Sequence, residues 1–467
     1  MDVKERMKIS RQQPRELPVA ERVQGFAEVS CGIDEAGARL EAERCLSCKK
    51  PGCRKGCPLG NDIPGFIACL REGRVEDAYW TIRRTSCLPA VCARVCPQEL
   101  QCEGACLRGK KGEPVAIGLL ERYVVDWMVS HDKDLTTPCA LPKGKKVAVV
   151  GSGPAGMAAA FYLAHAGYSC TIFESLPILG GMLTVGIPAY RLPRDIVAAE
   201  FAALKSCGVE VVTGVRIGQD RDLASLRAEG FDAVFVAVGA HVSRKLGIPG
   251  EELAGVVHGV DYLRRVNLGE RFNLGKRVVV VGGGNVAIDV ARTALRTGSD
   301  QAFILYRRGR EEMPASRAEI HHLEEEGVKI EFLAAPVRII GENGRMTGVE
   351  CIRMQLGECD SSGRCRPVPV PDSHFIIEAE AIIPAISQDV DRTVTGDASL
   401  DLTRWGTVVV DPVTLQTSIP WIFAGGDSVL GPQTVAKAVL QGKEAAESVR
   451  RFLEGEDLRA GRLPEAA

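Results

Sequence analysis

Two strand-like segments mark the chain, 145–150 and 277–281, each running from basic residues into an uninterrupted apolar run at 147–150 and 278–281. Each is followed by a glycine-rich turn and then by a long segment of small and apolar residues. A run of this kind without polar alternation reads as a strand buried on both faces, as in a parallel sheet. A second apolar run follows each after one helix length, at 169–173 and 302–306, so each opens a β-α-β unit. The tail, 385–447, holds another run at 421–424 and a helix from about Thr434, and is expected to return to the first unit and complete it. The N-terminal 140 residues have a different texture. They are rich in Cys, Arg and Glu, with helical stretches at 35–46 and 113–129, and a polar, proline-containing linker at 132–144.

At 467 residues the chain exceeds one ordinary core and suggests about three domains of roughly 150 residues. Two β-α-β units imply two nucleotide-binding folds, each with a parallel sheet. The expected fold class is α/β: two Rossmann-like nucleotide-binding domains preceded by a mainly helical domain. The expected boundaries are 1–140 for the helical domain, 141–270 together with 385–467 for the first nucleotide-binding domain, and 271–384 for the second. The net charge of -2, without a clustered positive stripe, points away from nucleic acid as a partner. The first ten residues are charged and lack the apolar core of a secretory leader. The longest nearly uncharged stretch, 147–173, is broken by Gly151, Gly153, Pro154, Gly156 and Gly167, and reads as buried strand, turn and helix rather than a membrane span. A cytoplasmic protein with no membrane span is expected.

Ten of the 17 cysteines fall between Cys45 and Cys106. With no leader and a long chain, a metal-binding segment is a better reading than a secreted disulfide framework. One run is Cys45, Cys48, Cys53 and Cys57, followed by Pro58. The other is Cys92, Cys96 with Pro97, Cys102 and Cys106. Thiolates at this spacing, some followed by proline, resemble ferredoxin-type ligation of [4Fe-4S] clusters. Structural zinc also uses such pairs and is the alternative; iron–sulfur is preferred because redox cofactor sites follow in the same chain. Cys31, Cys69, Cys87, Cys139, Cys170, Cys207, Cys351, Cys359 and Cys365 lack close ligand spacing and are expected to be buried apolar residues or surface thiols.

The first turn, Gly151-Ser152-Gly153-Pro154-Ala155-Gly156, is a G-x-G-x-x-G between strand and helix. Gly151 allows the tight turn, Gly153 lets a pyrophosphate approach the helix N-terminus, and Gly156 lets helix and strand pack closely. Glu174 ends the second strand 23 residues after Gly151, where a carboxylate takes adenosine ribose hydroxyls. The second turn, Gly282-Gly283-Gly284-Asn285-Val286-Ala287, repeats the pattern as G-x-G-x-x-A. There the second strand ends in Arg307-Arg308 rather than an acid. A carboxylate would repel a 2'-phosphate and a guanidinium pair binds it, which favours NADP(H) over NAD(H).

The order of these features, closing with Phe423-Ala-Gly-Gly-Asp427, resembles the glutamate synthase small-subunit family, which shares this module with the N-terminal part of dihydropyrimidine dehydrogenase. The likeness covers nearly the whole chain. Within it, segments 43–48, 62–66 and 117–123 are more similar to the NADPH-binding FAD subunit of electron-bifurcating NADH-dependent ferredoxin:NADP oxidoreductase. The resemblance implies an oxidoreductase carrying FAD, two [4Fe-4S] clusters and NADP(H). Carried over by position, Cys45, Cys48, Cys53 and Cys106 hold one cluster, and Cys57, Cys96, Cys102 and the carboxylate of Glu121 the other. Cys92 has no ligand role by this match, although spacing alone nominates it. For FAD the match carries over Gly151 to Ala155, Glu174, Gly181, Met182, Arg191, Ile217 and the segment from Gly426 and Asp427 to Gln433, Thr434 and Val435. The helix after Thr434 is expected to aim its positive end at the flavin. For NADPH it carries over Gly283, Gly284, Asn285, Val286, Arg307 and Arg308. Ser387 stands where the family usually has glycine.

The cofactors supply the chemistry, so no catalytic acid or base is nominated; His321 and His322 are expected on the surface of a charged helix. The expected function is electron transfer between NADP(H), FAD and [4Fe-4S] clusters inside a multisubunit complex. The expected system is an electron-bifurcating ferredoxin:NADP transhydrogenase or a related hydrogenase- or formate dehydrogenase-linked assembly. The partner would be a ferredoxin- or NAD-linked flavoprotein or a hydrogenase-like subunit. The alternative is the small subunit of NADPH-dependent glutamate synthase, partnered by its large subunit. A non-catalytic scaffold with structural zinc is the reading from another class.

Overall fold

The computed structural model describes residues 1–360, 363–395 and 400–462. The N-terminal part is helical, with α1 (Glu35–Glu43), α2 (Ile63–Arg71), α3 (Val75–Arg83), α4 (Pro89–Val95) and α5 (Ile117–Ser130) as its larger elements. Their apolar faces, including Phe66, Ile67, Ile82, Leu120 and Val124, close one core. Both sequence-expected helices are trimmed, for the same reason. Arg44 ends α1 and donates to the carbonyls of Glu113 and Pro114, which holds 113–116 extended ahead of α5.

The chain then enters a β-α-β unit: β1 (Lys146–Val150), α6 (Pro154–His165) and β2 (Ser169–Glu174). It continues through α7 (Arg194–Lys205), β3 (Glu210–Thr213) and β4 (Ala233–Val236). A second unit follows, with β5 (Arg277–Val281), α8 (Asn285–Arg296), β6 (Gln301–Tyr306), α9 (Arg317–Glu325) and β7 (Lys329–Phe332). An antiparallel insertion comes next: β8 (Ala334–Glu342), β9 (Arg345–Cys359) and β10 (Cys365–Glu378). The chain closes with β11 (Ala381–Pro384), β12 (Ile422–Ala424) and α10 (Val435–Glu454).

Two parallel sheets result, ordered β12-β4-β1-β2-β3 and β11-β5-β6-β7, beside an antiparallel one ordered β10-β9-β8. Central strands are wholly buried: Val147 to Val150 and Val278 to Val281 are apolar on both faces because helices cover both. The tail does return to the first sheet, where β12 pairs with β4 in parallel register, Phe423 opposite Phe235. α10 lies against α6 closely enough that a Cβ at Gly442 would sit 2.2 Å from the Ala155 carbonyl oxygen. The long β9–β10 hairpin has no counterpart in the sequence reading. Its residues alternate only loosely and both strands stay largely exposed, so the two-residue period that marks a half-buried strand is weak.

No described helix is long and apolar enough to cross a membrane. The stretch 147–173 is a buried strand, helix and strand.

Candidate functional site

The first glycine turn is shaped by contacts a side chain would block. A Cβ at Gly151, whose φ is +105°, would meet the Ala237 carbonyl oxygen at 2.4 Å, and one at Gly156 would meet the Gly151 oxygen at 2.0 Å. Gly153 instead faces open space, as Gly284 does in the second turn. These two positions leave their helix N-termini uncovered, the condition for seating a phosphate there. Glu174, buried at the end of β2, accepts from the Ser152 N–H at 3.0 Å, the Ser152 hydroxyl at 2.5 Å and the Leu176 N–H at 2.8 Å. Its carboxylate thereby holds the turn and the strand end as one unit.

In the second unit Asn285 opens α8 and its Oδ1 accepts from the Ser316 N–H at 3.0 Å. Arg307 and Arg308 leave β6 in opposite senses. Arg308 is buried and its Nε donates to the Cys365 carbonyl at 2.8 Å, which pins the tip of the β9–β10 hairpin; Arg307 stays exposed. Burial, then the charges of Arg308 and Arg364, push Arg307 below the ordinary guanidinium range. The Arg364 backbone N–H donates to Asp360 Oδ1 at 3.1 Å, and the three guanidiniums share the cavity lining, where they suit a dianion. Arg364 was missed by the sequence reading, because its arrival depends on the hairpin.

Members of each expected ligand set stand near enough to shift one another's titration. Burial, and then the mutual charge of Cys106, Cys48 and Cys45, raises the thiols of Cys45, Cys48 and Cys53, the last to about 12. Around the second set, burial and then the Glu121 carboxylate raise Cys57 to about 11, despite backbone hydrogen bonds that lower it. Cys96 is raised first by a hydrogen bond with Cys92, then by burial, Glu121 and Cys102. Burial alone pushes Glu121 up to about 8, and no described cation or donor meets its carboxylate. Acids crowded together in low dielectric without a cation fit a cationic centre between them. No three of these eight ligand groups come within 4.8 Å of one another. A single tetrahedral zinc would draw its ligand atoms to about 4 Å. The spacing suits a polynuclear centre. Cys92 stands beside Cys96 but outside the proposed quartet.

One cavity of about 1190 Å³ connects these parts. Of the expected nucleotide-binding residues, all line it except Gly156 and Gly426, which are packed behind its wall. Gly151 to Ala155, Glu174, Gly181, Met182 and Ile217 form one end, and Gly283 to Val286, Arg307 and Arg308 the other. Asp427 and Gln433 to Val435 close the side nearest the helical domain. Burial pushes Asp427 up to about 7, and it accepts from the Gln433 N–H at 3.0 Å. Val95 and Pro97, which flank Cys96, line the same cavity, and Gln101 Nε2 donates to Thr434 Oγ1 at 3.3 Å. The second ligand set therefore abuts the cavity wall. Thr434 also caps α10, accepting from the Lys437 N–H, so that helix's positive end faces the cavity.

His241 at the cavity was not foreseen, whereas Ser387 was noted as a departure from the family's usual glycine. His241 is brought down to about 4 by burial and by Arg264, so it is neutral near pH 7. Ser387 lines the cavity, with its carbonyl accepting from the Arg244 N–H at 3.3 Å. The histidine expectation was half right: His321 is exposed, but His322 is buried, with Nε2 2.9 Å from Glu16 Oε1. The expectation for the unassigned cysteines also needs correction. Cys139 is joined to Cys207 and Cys359 to Cys365, pairings that sequence spacing of 68 and 6 residues does not signal.

Comparison with known proteins agrees with this geometry. Residues 22–133 match the family described as dihydropyrimidine dehydrogenase domain II, 4Fe-4S cluster, and residues 145–442 match the pyridine nucleotide-disulphide oxidoreductases. The chain is 44% identical over 425 residues to the NADP(+)-dependent formate dehydrogenase subunit beta of Moorella thermoacetica, covering 86% of this chain and 60% of that one. It thus spans less than two thirds of that relative. It is 36% identical over 456 residues to the glutamate synthase [NADPH] small chain of Azospirillum brasilense, covering 94% of each. Among solved structures, FprA of Mycobacterium tuberculosis in complex with NADPH superposes with a TM-score of 0.58 at 21% identity, over 67% of this chain and 85% of that one, which establishes a shared fold. The chain belongs to the pyridine nucleotide-disulphide oxidoreductases and, within them, to the glutamate synthase small-chain family.

Proposed function

We propose that this family member is the electron-transfer subunit of a larger cytoplasmic oxidoreductase, linking NADP(H), FAD and two [4Fe-4S] clusters. FAD, when bound, exchanges electrons in pairs with the nicotinamide and singly with the clusters. The protein's own part is placement. Gly151 to Ala155 and Glu174 seat the adenosine and pyrophosphate of FAD, with Gly181, Met182, Arg191, Ile217 and Asp427 to Val435 around the rest. Gly283 to Val286 seat NADPH, and Arg307, Arg308 and Arg364 take its 2'-phosphate, with Arg308 also securing the hairpin. Cys45, Cys48, Cys53 and Cys106 hold one cluster. Cys57, Cys96, Cys102 and Glu121 hold the other.

The observation that carries this reading is the single cavity bounded by both glycine turns and by Pro97, next to Cys96. Val95 and Pro97, on either side of Cys96, belong to its lining, which supports putting one cluster beside the nucleotide seats.

We assign the complex to an NADP-linked system of the electron-bifurcating, formate dehydrogenase- or hydrogenase-associated kind, with a ferredoxin- or NAD-linked partner subunit. The 44% identity to a formate dehydrogenase beta subunit supports it. A second reading, small subunit of glutamate synthase, is favoured by the end-to-end match of 94% on both chains. Anaerobic purification with co-purifying subunits decides. A brown protein bleached by NADPH and not by NADH, and active with formate, ferredoxin or hydrogen, supports the first. Glutamate formation from glutamine supports the second. A colourless protein without inorganic sulfide overturns both.

A further inference from the structure

The linker and the first β-α-β unit meet at three side chains that the redox reading does not use. Cys139 on the linker, His165 in the last turn of α6 and Cys207 just beyond α7 each present one donor atom, and these lie within 4.8 Å of one another. The two sulfurs are joined across a Cα–Cα distance of 6.1 Å, and Cys207 Sγ lies 3.5 Å from His165 Nε2. The imidazole is oriented. Its Nδ1 lies 2.8 Å from the Phe161 carbonyl oxygen, where only a protonated nitrogen can donate, so the lone pair belongs to Nε2, the nitrogen nearer the sulfur. The ring rests on Phe161 with centroids 4.0 Å apart. Burial pushes His165 below its ordinary range, which keeps it neutral. A metal-bound imidazole is held in this way, its second nitrogen donating to a backbone carbonyl. A disulfide has no use for an aimed imidazole lone pair.

We propose that, with the two sulfurs reduced, Cys139, His165 and Cys207 hold one thiophilic divalent cation, best matched by zinc, with water as its fourth ligand. Two thiolates and an imidazole suit zinc, and binding releases one proton from each thiol. Bonds of about 2.3 Å require the sulfurs to stand about 3.7 Å apart. Cys139 is exposed on the linker and can supply that movement. The Thr137 hydroxyl, now hydrogen-bonded to His165 Nε2, yields that nitrogen to the ion. The joined form is the oxidised state of the same site. A small-molecule disulfide accepts the two electrons, the Cys139–Cys207 bond forms, two small thiolates leave and the cation is released. The ion would complete a strap already begun by backbone bonds, Ala140 N–H to the His165 carbonyl at 3.0 Å and Lys143 N–H to the Gly167 carbonyl at 2.8 Å. The linker carrying the helical domain would thus be fixed to α6 and α7.

The test is zinc and iron analysis of the full chain purified anaerobically with reductant. About one zinc per chain is expected. C139S, C207S and H165Q should each abolish it with iron and sulfide unchanged. Should a variant fold poorly, zinc-edge X-ray absorption on the unaltered protein gives an independent answer: two sulfurs and two nitrogen or oxygen atoms are expected. The proposal falls if the unaltered protein holds no zinc, or if variants of full iron content keep it. A four-sulfur zinc environment, which would place zinc among the Cys45 to Cys106 ligands, also overturns it. So does anaerobic alkylation that finds Cys139 and Cys207 still joined.

Discussion

Arg191 reaches across from the first nucleotide unit to Asp289 on the helix of the second, its Nη1 2.9 and 2.7 Å from the two carboxylate oxygens. Both side chains are nearly buried, and Arg191 Nε also lies 3.3 Å from Glu319. The arginine lines the cavity, yet its firmest contact is this ion pair between the two units. Removing one partner strands the other in low dielectric, at a cost of about 3–5 kcal/mol.

A double-mutant cycle on R191A and D289A separates the two roles of Arg191. If the pair is mainly a tie between the units, the two losses in denaturant stability overlap by at least about 1 kcal/mol. FAD content at saturating flavin should then fall in step with unfolding and not before it. Strictly additive losses, with flavin lost from a fully folded R191A, would assign the arginine to the cofactor alone.

Glu326 sets an acid limit on the fold. Its burial works against ionisation, but hydrogen bonds and charge from Arg296 and Arg292 outweigh that and bring it down to about 2. Arg292 and Arg296 each approach it with two nitrogens, at 2.7 to 3.0 Å, and Arg22 of the N-terminal segment adds a contact at 3.2 Å. The same two arginines enclose the Tyr190 ring at 4.6 and 4.2 Å. A carboxyl whose folded value lies below its unfolded value stabilises fully above the unfolded one, and the gain disappears as pH falls toward the folded one. The window is therefore about pH 4.5 down to about 2, and the shift corresponds to about 3 kcal/mol. Urea midpoints of parent and E326Q should differ most near pH 7 and converge only toward pH 2. A gap that stays constant with pH would count against this account.

Both glycine turns and the strand before each were legible because each is a local pattern, and the tail strand β12 returned to the first sheet as expected. Gly151 and Gly156 are required because a Cβ there would sit 2.4 and 2.0 Å from backbone oxygens, and such close approaches are written as glycine. Arg364, the Arg191–Asp289 pair and the Cys139 cluster were not legible. Each joins residues far apart in sequence, through a hairpin, a cleft and a linker whose courses no local pattern fixes. His322 failed differently: a helix rich in charge reads as exposed, but Glu16 from the N-terminal segment covers one face of it.

Arg364 should act as a selectivity residue for the nucleotide. It comes from the hairpin tip and lines the cavity with Arg307 and Arg308. R364A should weaken NADPH about tenfold and leave NADH nearly unchanged, since a charge-assisted contact to phosphate contributes about 1.5–3 kcal/mol. R308A should do the same and also loosen the hairpin, because it loses the bond to the Cys365 carbonyl. Inhibition by 2'-phosphorylated and unphosphorylated adenosine ribonucleotides measures this directly. Equal loss for both nucleotides in R364A would remove it from phosphate recognition.

The position of Cys96 makes the order of the two clusters testable. Its neighbours Val95 and Pro97 line the cavity, and Gln101, next to Cys102, contacts Thr434 on the same side of the cavity. The Cys45 set has no residue there. Electrons leaving the cavity should therefore reach the Cys57, Cys96, Cys102 and Glu121 site first. C48A should lose one cluster yet still show, after NADPH addition, the paramagnetic signal of the other, while transfer to any partner stops. C96A or E121A should keep bleaching of the yellow flavin bands by NADPH but leave the remaining cluster oxidised. Low-temperature electron paramagnetic resonance on the three variants distinguishes these outcomes. A remaining cluster that is reduced as fast in C96A as in the parent would reverse the order or place both sites at equal reach.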